Sequence, residues 1–285
     1  MEKYDSANTI QICKMDDVSK YISQVDSAET SEVFCSAVSE NIEEVYAIRN
    51  GDTVIGLSLI EDDAEGYLYI YIFPEYRNNG YGYLAACAAE QQMQSSPLVS
   101  ITTSYDNNNK IAERLAEKCG FAKTFASAFM KYSGKMFEGS FPEIQPYRDE
   151  HFADAFTLSA EAFHRMRLEA GCFPDSVIST PSDEARQLWA ETADDRYVYV
   201  LNDEIVGYAH IDEAELDTVA IRISHQGHGL GKAFTQYLTN VILEKQMGEP
   251  FLYCVVDNRK ARQLYTSLGF KEVSCNAYAV KKFED

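Results

Sequence analysis

The sequence predicts an α/β chain, an α+β mixed sheet in each of two tandem domains, residues 1–139 and 140–285. Three observations carry that prediction. Runs with strand alternation are interleaved with runs of helical period. In two places a glycine-rich turn stands between a strand and a helix. Those two places are copies: Arg77-Asn78-Asn79-Gly80-Tyr81-Gly82 returns as Gln226-Gly227-His228-Gly229-Leu230-Gly231, and segment 109–121 returns as 258–270, both at an offset of 149 residues.

Taken in order, a strand is expected at 9–13 and helical stretches from Asp16 to about Ser39. Strands at 45–49 and 54–60 flank Asn50-Gly51-Asp52, which suits a hairpin turn. A strand at 67–72 enters the first glycine turn, a helix runs from Gly82 to about Gln92, and a strand spans 98–103. A helix from Asn109 to Cys119 follows, closed by Gly120, and then a strand at 126–132. Gly139, Ser140 and Pro142 break the pattern at the domain boundary. The second half repeats the plan: a strand near Ile144, a helix from about Glu150 to Phe163, and strands at 197–201, 205–211 and 216–221. After its glycine turn, Leu230, Phe234, Tyr237, Leu238, Val241 and Ile242 recur at helical spacing, and a strand is expected at 251–256.

The repeat is not uniform. Ile10-Gln11 matches Ile144-Gln145 at an offset of 134, whereas Val54-Ile55-Gly56 matches Ile205-Val206-Gly207 at 151. The second half therefore carries 17 more residues between its first and third strands, within 164–192. Either this is an ordinary surface insertion, or residues 164–190 form a lid over a substrate.

Composition is that of a globular protein with net charge −20, shared evenly by the two halves. Such a balance disfavours nucleic acid and anionic membranes as partners and draws small cations toward a cleft. Seven cysteines show no C-x-x-C pair and no zinc spacing, so they read as reduced thiols and no metal is expected. Met1-Glu2-Lys3-Tyr4-Asp5 starts polar, and no apolar run reaches membrane-spanning length, which points to the cytoplasm.

Glycines between a strand and a helix let the backbone approach a ligand, and the free N–H groups of the helix start favour an anion such as a pyrophosphate. Two familiar phosphate turns do not fit. Walker A needs glycine where Gln226 stands and a hydroxyl where Ala233 stands, and G-x-G-x-x-G has another spacing. The turn resembles instead the Q/R-x-x-G-x-G/A turn of the GNAT (GCN5-related) N-acetyltransferases. Asn258 to Phe270 is similar to that family's N-x-x-A-x-x-L-Y-x-x-x-G-F signature at every specified position.

The resemblance implies two tandem GNAT folds, each a mostly antiparallel sheet splayed between its fourth and fifth strands to admit pantetheine. It implies acetyl-CoA as cosubstrate and a primary amine as acceptor, here a small cationic molecule in view of the acidic balance. A protein or peptide acceptor, or a non-catalytic acyl-CoA-binding module, are the alternatives. Backbone amides from Gln226 to Gly231 would hold the pyrophosphate, with Lys232 as counter-charge, Asn258 touching the cofactor, and an amide near Ile221, Arg222 or Ile223 facing the oxyanion. Tyr265 stands at the family's proton-donating tyrosine, or else is a core tyrosine. Glu215 and Asp217, two apart on a strand, share a face and stand where the family carries a base; both also read as rim acids. In the first half the turn is kept in Arg77, Asn78, Asn79, Gly80, Tyr81 and Gly82, but Gly66, Leu68 and Ala116 replace Glu215, Asp217 and Tyr265. None of these replacements moves a proton. The expectation is a degenerate first domain, a catalytic second domain, and a monomer or homodimer.

Overall fold

The structure is a computed structural model that describes residues 10–15, 17–41, 44–62, 64–94, 98–141, 143–173 and 176–283. The polar start at Met1 to Asp5, the helix start at Asp16 and the break at Pro142 lie outside the described residues. By compactness the chain forms two units, residues 1–124 with 276–285, and residues 125–275.

The first unit begins with β1 (Ile10–Lys14), α1 (Ser19–Ile22) and α2 (Ala28–Asn41). It continues with β2 (Val45–Asn50), β3 (Thr53–Glu61), β4 (Glu65–Ile72), α3 (Tyr81–Met93), β5 (Ser100–Asp106) and α4 (Lys110–Lys118). β1 to β4 form an antiparallel meander, and β5 joins β4 in parallel over residues 65–67 only. Beyond that short contact the fourth and fifth strands part.

In the second unit β7 (Ile144–Pro146) is followed by α5 (Phe152–Ala170) and α6 (Asp183–Glu191). Then come β8 (Arg196–Leu201), β9 (Glu204–Asp212), β10 (Glu215–Ile221), α7 (Leu230–Glu244), β11 (Phe251–Val255) and α8 (Arg259–Leu268). β10 meets β11 in parallel at one register pair, Glu215 with Phe251, so the same opening lies between its fourth and fifth strands.

The repeat boundary near residue 140 and the compact units are drawn along different lines, because the last strand of each half of the sequence belongs to the other unit. Residues 127–131 of β6 (Ala122–Lys131) pair antiparallel with β11, and residues 276–282 of β12 (Lys271–Lys282) pair antiparallel with β5.

Within each unit, helices bury both faces of the strands. In the second unit, Ile221, Val206, Leu216 and Leu252 pack with Phe234, Leu238 and Ile242 of α7 in one core. On the opposite face, Phe152, Ala155, Leu158 and Ala162 of α5 cover Val198, Tyr208 and Ala220. Burying four such apolar side chains of α5 is worth roughly 1.5 to 3 kcal/mol for each large one, well above the intrinsic propensity of any helix residue. α5 stops at Gly171, whose φ of 69° caps it in the left-handed region. Among the described residues no helix is long and apolar enough to cross a membrane.

Candidate functional site

Both glycine turns close in the same backbone shape. Asn78 and its counterpart Gly227 have φ of 64° and 84°, and Gly80 and its counterpart Gly229 have φ of 80° and 85°. Gly80 and Gly229 are the N-caps of α3 and α7, with no side-chain cap on the helix start. A Cβ on either would meet nothing within 4 Å, so the space before the first-turn amides is open. Uncapped amides, the positive helix end and open space together suit a pyrophosphate.

The first residue of each turn braces it. Gln226 Nε2 donates to the Ile221 carbonyl (3.0 Å), and Arg77 Nε donates to the Ile72 carbonyl (2.9 Å), each reaching five residues back. In the first half Asn79 Nδ2 also donates to the Arg77 carbonyl (3.1 Å), holding the turn from within.

In the second unit a cavity of about 540 Å³ brings most of the expected site together. Ile221, Gln226, Gly227, Gly229, Gly231, Lys232, Asn258 and Tyr265 all line it. Asn258 also caps α8, its side chain accepting from the Ala261 amide (3.3 Å), so its two readings coexist. Tyr265 is half-buried and tilted against Phe270 at 6.0 Å between ring centroids. Burial pushes its phenol above the usual range, which keeps the proton on the oxygen. Cys254 is buried, its thiol pushed up to about 11 by burial, as befits a core residue.

Other expected residues lie off the cavity wall. Leu230 packs on the core under α7, and exposed His228 faces the His225 carbonyl through Nδ1 (3.3 Å). Ile223 opens a 3-10 turn. Arg222 is turned the other way: its amide donates to the Val206 carbonyl (2.8 Å), and its guanidinium donates to the Ile205 carbonyl and pairs with Glu204. In an antiparallel ladder alternate residues bond to the same neighbour. With Arg222 bonded to β9, the amides of Ile221 and Val219 face the gap that β11 leaves. Ile221 is therefore the one of that group whose amide points into the opening.

Glu215 and Asp217 stand beyond the cavity wall, along β10 from Val219 and Ala220. Burial raises the Glu215 carboxyl, with Asp217 and Asp212 adding to the shift. The Asp217 carboxyl is lowered, chiefly by its hydrogen bond with His210, whose Nδ1 lies 3.0 Å away.

The opposite wall of the cavity falls largely within residues 164–190, left open in sequence between a surface insertion and a lid, where the helix expected to end near Phe163 runs on to Ala170. It is the second part of α5, through Phe163, Arg165, Met166, Glu169 and Ala170. Arg165 Nε donates to Glu169 (2.7 Å), and Lys260 of α8 lies 3.7 Å from the same carboxylate. Around the cavity as a whole, Arg165, Lys232, Arg259 and Lys260 outnumber Glu169 and Asp257, a local excess of positive charge in an acidic chain. The Arg165 and Glu169 spacing of four was the available signal. α6, the rest of the longer segment, does not cover the cavity. Trp189 stacks on Tyr208 at 4.3 Å and packs with Phe152 and Phe156, which makes α6 a support for α5.

The first unit has a cavity of about 590 Å³ lined by Arg77, Asn78, Gly80, Tyr81 and Gly82. Here Arg77 pairs with Asp26 (2.8 Å), whose carboxyl is lowered to about 2 by hydrogen bonds from Arg77 and Tyr71. Ala116 lines the wall where the other cavity has Tyr265. Among the described residues no group of three His, Cys, Asp or Glu is placed to hold a metal.

The acetyltransferase (GNAT) family matches residues 163–270, and its acetyltransferase (GNAT) domain form matches residues 1–122. The chain belongs to the GNAT acetyltransferase family, as two tandem domains. It is 25% identical over 228 residues to the mycothiol acetyltransferase of Renibacterium salmoninarum, covering 73% of this chain and 64% of that protein. The chain thus spans less than two thirds of that relative's length. A GCN5-related N-acetyltransferase from Sphaerobacter thermophilus superposes with a TM-score of 0.61 at 15% identity, covering 98% of this chain and 97% of that one. A tandem GNAT protein from the clavulanic acid biosynthesis pathway gives 0.57 at 13%, covering 97% and 99%. At these identities the likeness carries the fold.

Proposed function

We propose that the chain is an acetyl-CoA-dependent N-acetyltransferase whose second half transfers the acetyl group directly to a small cationic amine. One observation carries the reading: a single cavity gathers the uncapped α7 amides, the basic residues Lys232, Arg259 and Lys260, Asn258 and the protonated phenol of Tyr265.

The fit to acetyl-CoA rests on that cavity. The amides of residues 229–231 would hold the pyrophosphate, and Lys232 and Lys260 would meet its remaining negative charge. When bound, acetyl-CoA supplies the acetyl group as a thioester. The amides of Val219 and Ile221 face the gap where an acyl oxygen gaining charge needs donors. Tyr265 keeps a proton at Oη for a departing sulfur. Asp212, Glu215 and Asp217 cluster along the strands beyond the cavity wall, a local negative charge that favours a cationic acceptor. The relative's name, mycothiol acetyltransferase, agrees with a small acceptor. The first half keeps the cradle but has Ala116 in place of the phenol, so it serves as a structural partner.

Single-turnover loss of acetyl-CoA across a panel of small amines, and of peptides with free N-termini, tests the reading. Turnover with amines, abolished by second-half variants, is expected. Binding of acetyl-CoA without turnover of any acceptor would leave a sensor module.

A further inference from the structure

His210 of β9 and Asp217 of β10 are joined by a hydrogen bond that depends on an irregularity in the sheet. β10 pairs Glu215 with Asp212 and Thr218 with His210, so three steps along β10 match two along β9. One extra residue is accommodated as a bulge, and two residues of β10 then face one of β9. Asp217 reaches that partner, its Oδ2 lying 3.0 Å from His210 Nδ1, and the same oxygen accepts from the hydroxyl of the adjacent Thr218 at 3.0 Å. The first unit has no such device. Its β3 and β4 pair in unbroken register from Gly56 with Ile72 to Glu61 with Tyr67, and Leu59 takes the place of His210.

We propose that His210 is the catalytic proton acceptor for the amine, with Asp217 as its positioning residue; this rests on the acetyl-transfer reading above. An ionised carboxylate only accepts, so Asp217 fixes the ring proton on Nδ1 and leaves the Nε2 lone pair available. Ala220 forms both the cavity wall and the core under α5, and Thr218 lies two residues along the same strand. His210, opposite Thr218, therefore stands about 7 Å beyond the cavity wall on the α5 face.

The groups facing His210 are Asp217 and Glu215 from β10, Asp212 and Tyr208 on its own strand, and Arg196, its register partner on β8, whose guanidinium donates to the Tyr208 hydroxyl. α5, packed over this face, buries only Phe152, Ala155, Leu158 and Ala162. α6 presents Trp189 to the same cluster. In the step itself an N–H bond of the acceptor ammonium breaks as a new N–H bond forms at Nε2. The amine keeps the electron pair as its lone pair, and the imidazolium returns the proton to solvent.

The test uses the full chain with acetyl-CoA and three acceptors: spermidine, glucosamine, and water alone. His210→Gln is expected to lower kcat on the order of 10² to 10⁴ and to remove the rising limb of the pH profile. Calorimetry is expected to show an unchanged Kd for CoA. Asp217→Asn should lower kcat with the Kd for CoA unchanged and, in the histidine-labelled protein, lose the preference for the Nδ1 tautomer, because the ring loses the carboxylate that holds that proton. Added imidazole should restore part of the activity of His210→Ala. NMR of histidine-labelled wild type should show His210 protonated on Nδ1 when neutral. An Nε2-protonated ring overturns the proposal without any variant. So does a rising limb that survives His210→Gln and is lost in Glu215→Gln, which would make Glu215 the base. Absence of turnover with every acceptor while CoA binds, like absence of CoA binding, brings down the acetyl-transfer reading together with the proposal, whereas the NMR tautomer and the Glu215→Gln comparison overturn the role of His210 alone.

Discussion

At residues 78 and 80 in the first half, and 227 and 229 in the second, the chain takes the same left-handed turns into the same uncapped helix start. The walls around those turns differ. The second cavity is lined by Arg165, Lys232, Arg259, Lys260 and Tyr265, whereas the first has an Arg77–Asp26 pair, Lys118 and tyrosines at other positions, with Ala116 at the place of Tyr265. A repeated backbone therefore fixes where an anion can be met, and the side chains around it decide whether chemistry follows.

The sharpest break in that comparison is the phenol. Tyr265→Phe should lower kcat on the order of 10² to 10⁴ with acetyl-CoA affinity kept, measured by single turnover and calorimetry. Ala116→Tyr in the first half should create no second activity, because that half has no proton acceptor. Activity that stays level in Tyr265→Phe and collapses in Gly80→Asp would exchange the roles of the two halves.

Next in size is the cradle. Gly229→Asp should weaken CoA binding by one to two orders of magnitude, about 1 to 2 kcal/mol of it from the left-handed backbone and the rest from a carboxylate facing an anion. The same change at Gly80 should leave turnover untouched.

A smaller effect is expected at Lys260→Ala. This exposed cation should contribute a few-fold to CoA affinity, on the order of 0.5 kcal/mol, and its contribution should shrink with added salt.

The smallest concerns the first half alone. Asp26→Asn should lower its melting temperature slightly at neutral pH. The folded carboxyl is depressed to about 2 from 3.8, so its stabilisation is present above pH 4 and is lost as pH falls toward 2. Wild type and variant should therefore converge over that window in thermal scans. A gap that persists at pH 2 would show that the ion pair is not the cause.

Most of the architecture was legible because it rests on local rules. The glycine turns need left-handed φ, and Asn258 and Gly269 cap α8 as their types suggest. Helical spacing from Leu230 to Ile242 marks the face that α7 buries. Within the site, the cradle and Tyr265 were legible through a signature that keeps residues of one helix and one turn in fixed spacing. Arg165 and Glu169 were not, since which turn of α5 meets the cavity depends on how that helix lies on β9 and β10. The reach of α6 was open in sequence for the same reason, and the packing of Trp189 on Tyr208 decided it.

By itself, then, the sequence determined the repeat, most of the strand and helix order, and the two glycine turns, all of which follow from neighbours a few residues apart. Only the tertiary structure decided which half of the sequence each final strand completes, and that a one-residue bulge brings Asp217 to His210. Those outcomes depend on pairing between residues distant in sequence, and register between strands is set by the whole buried face.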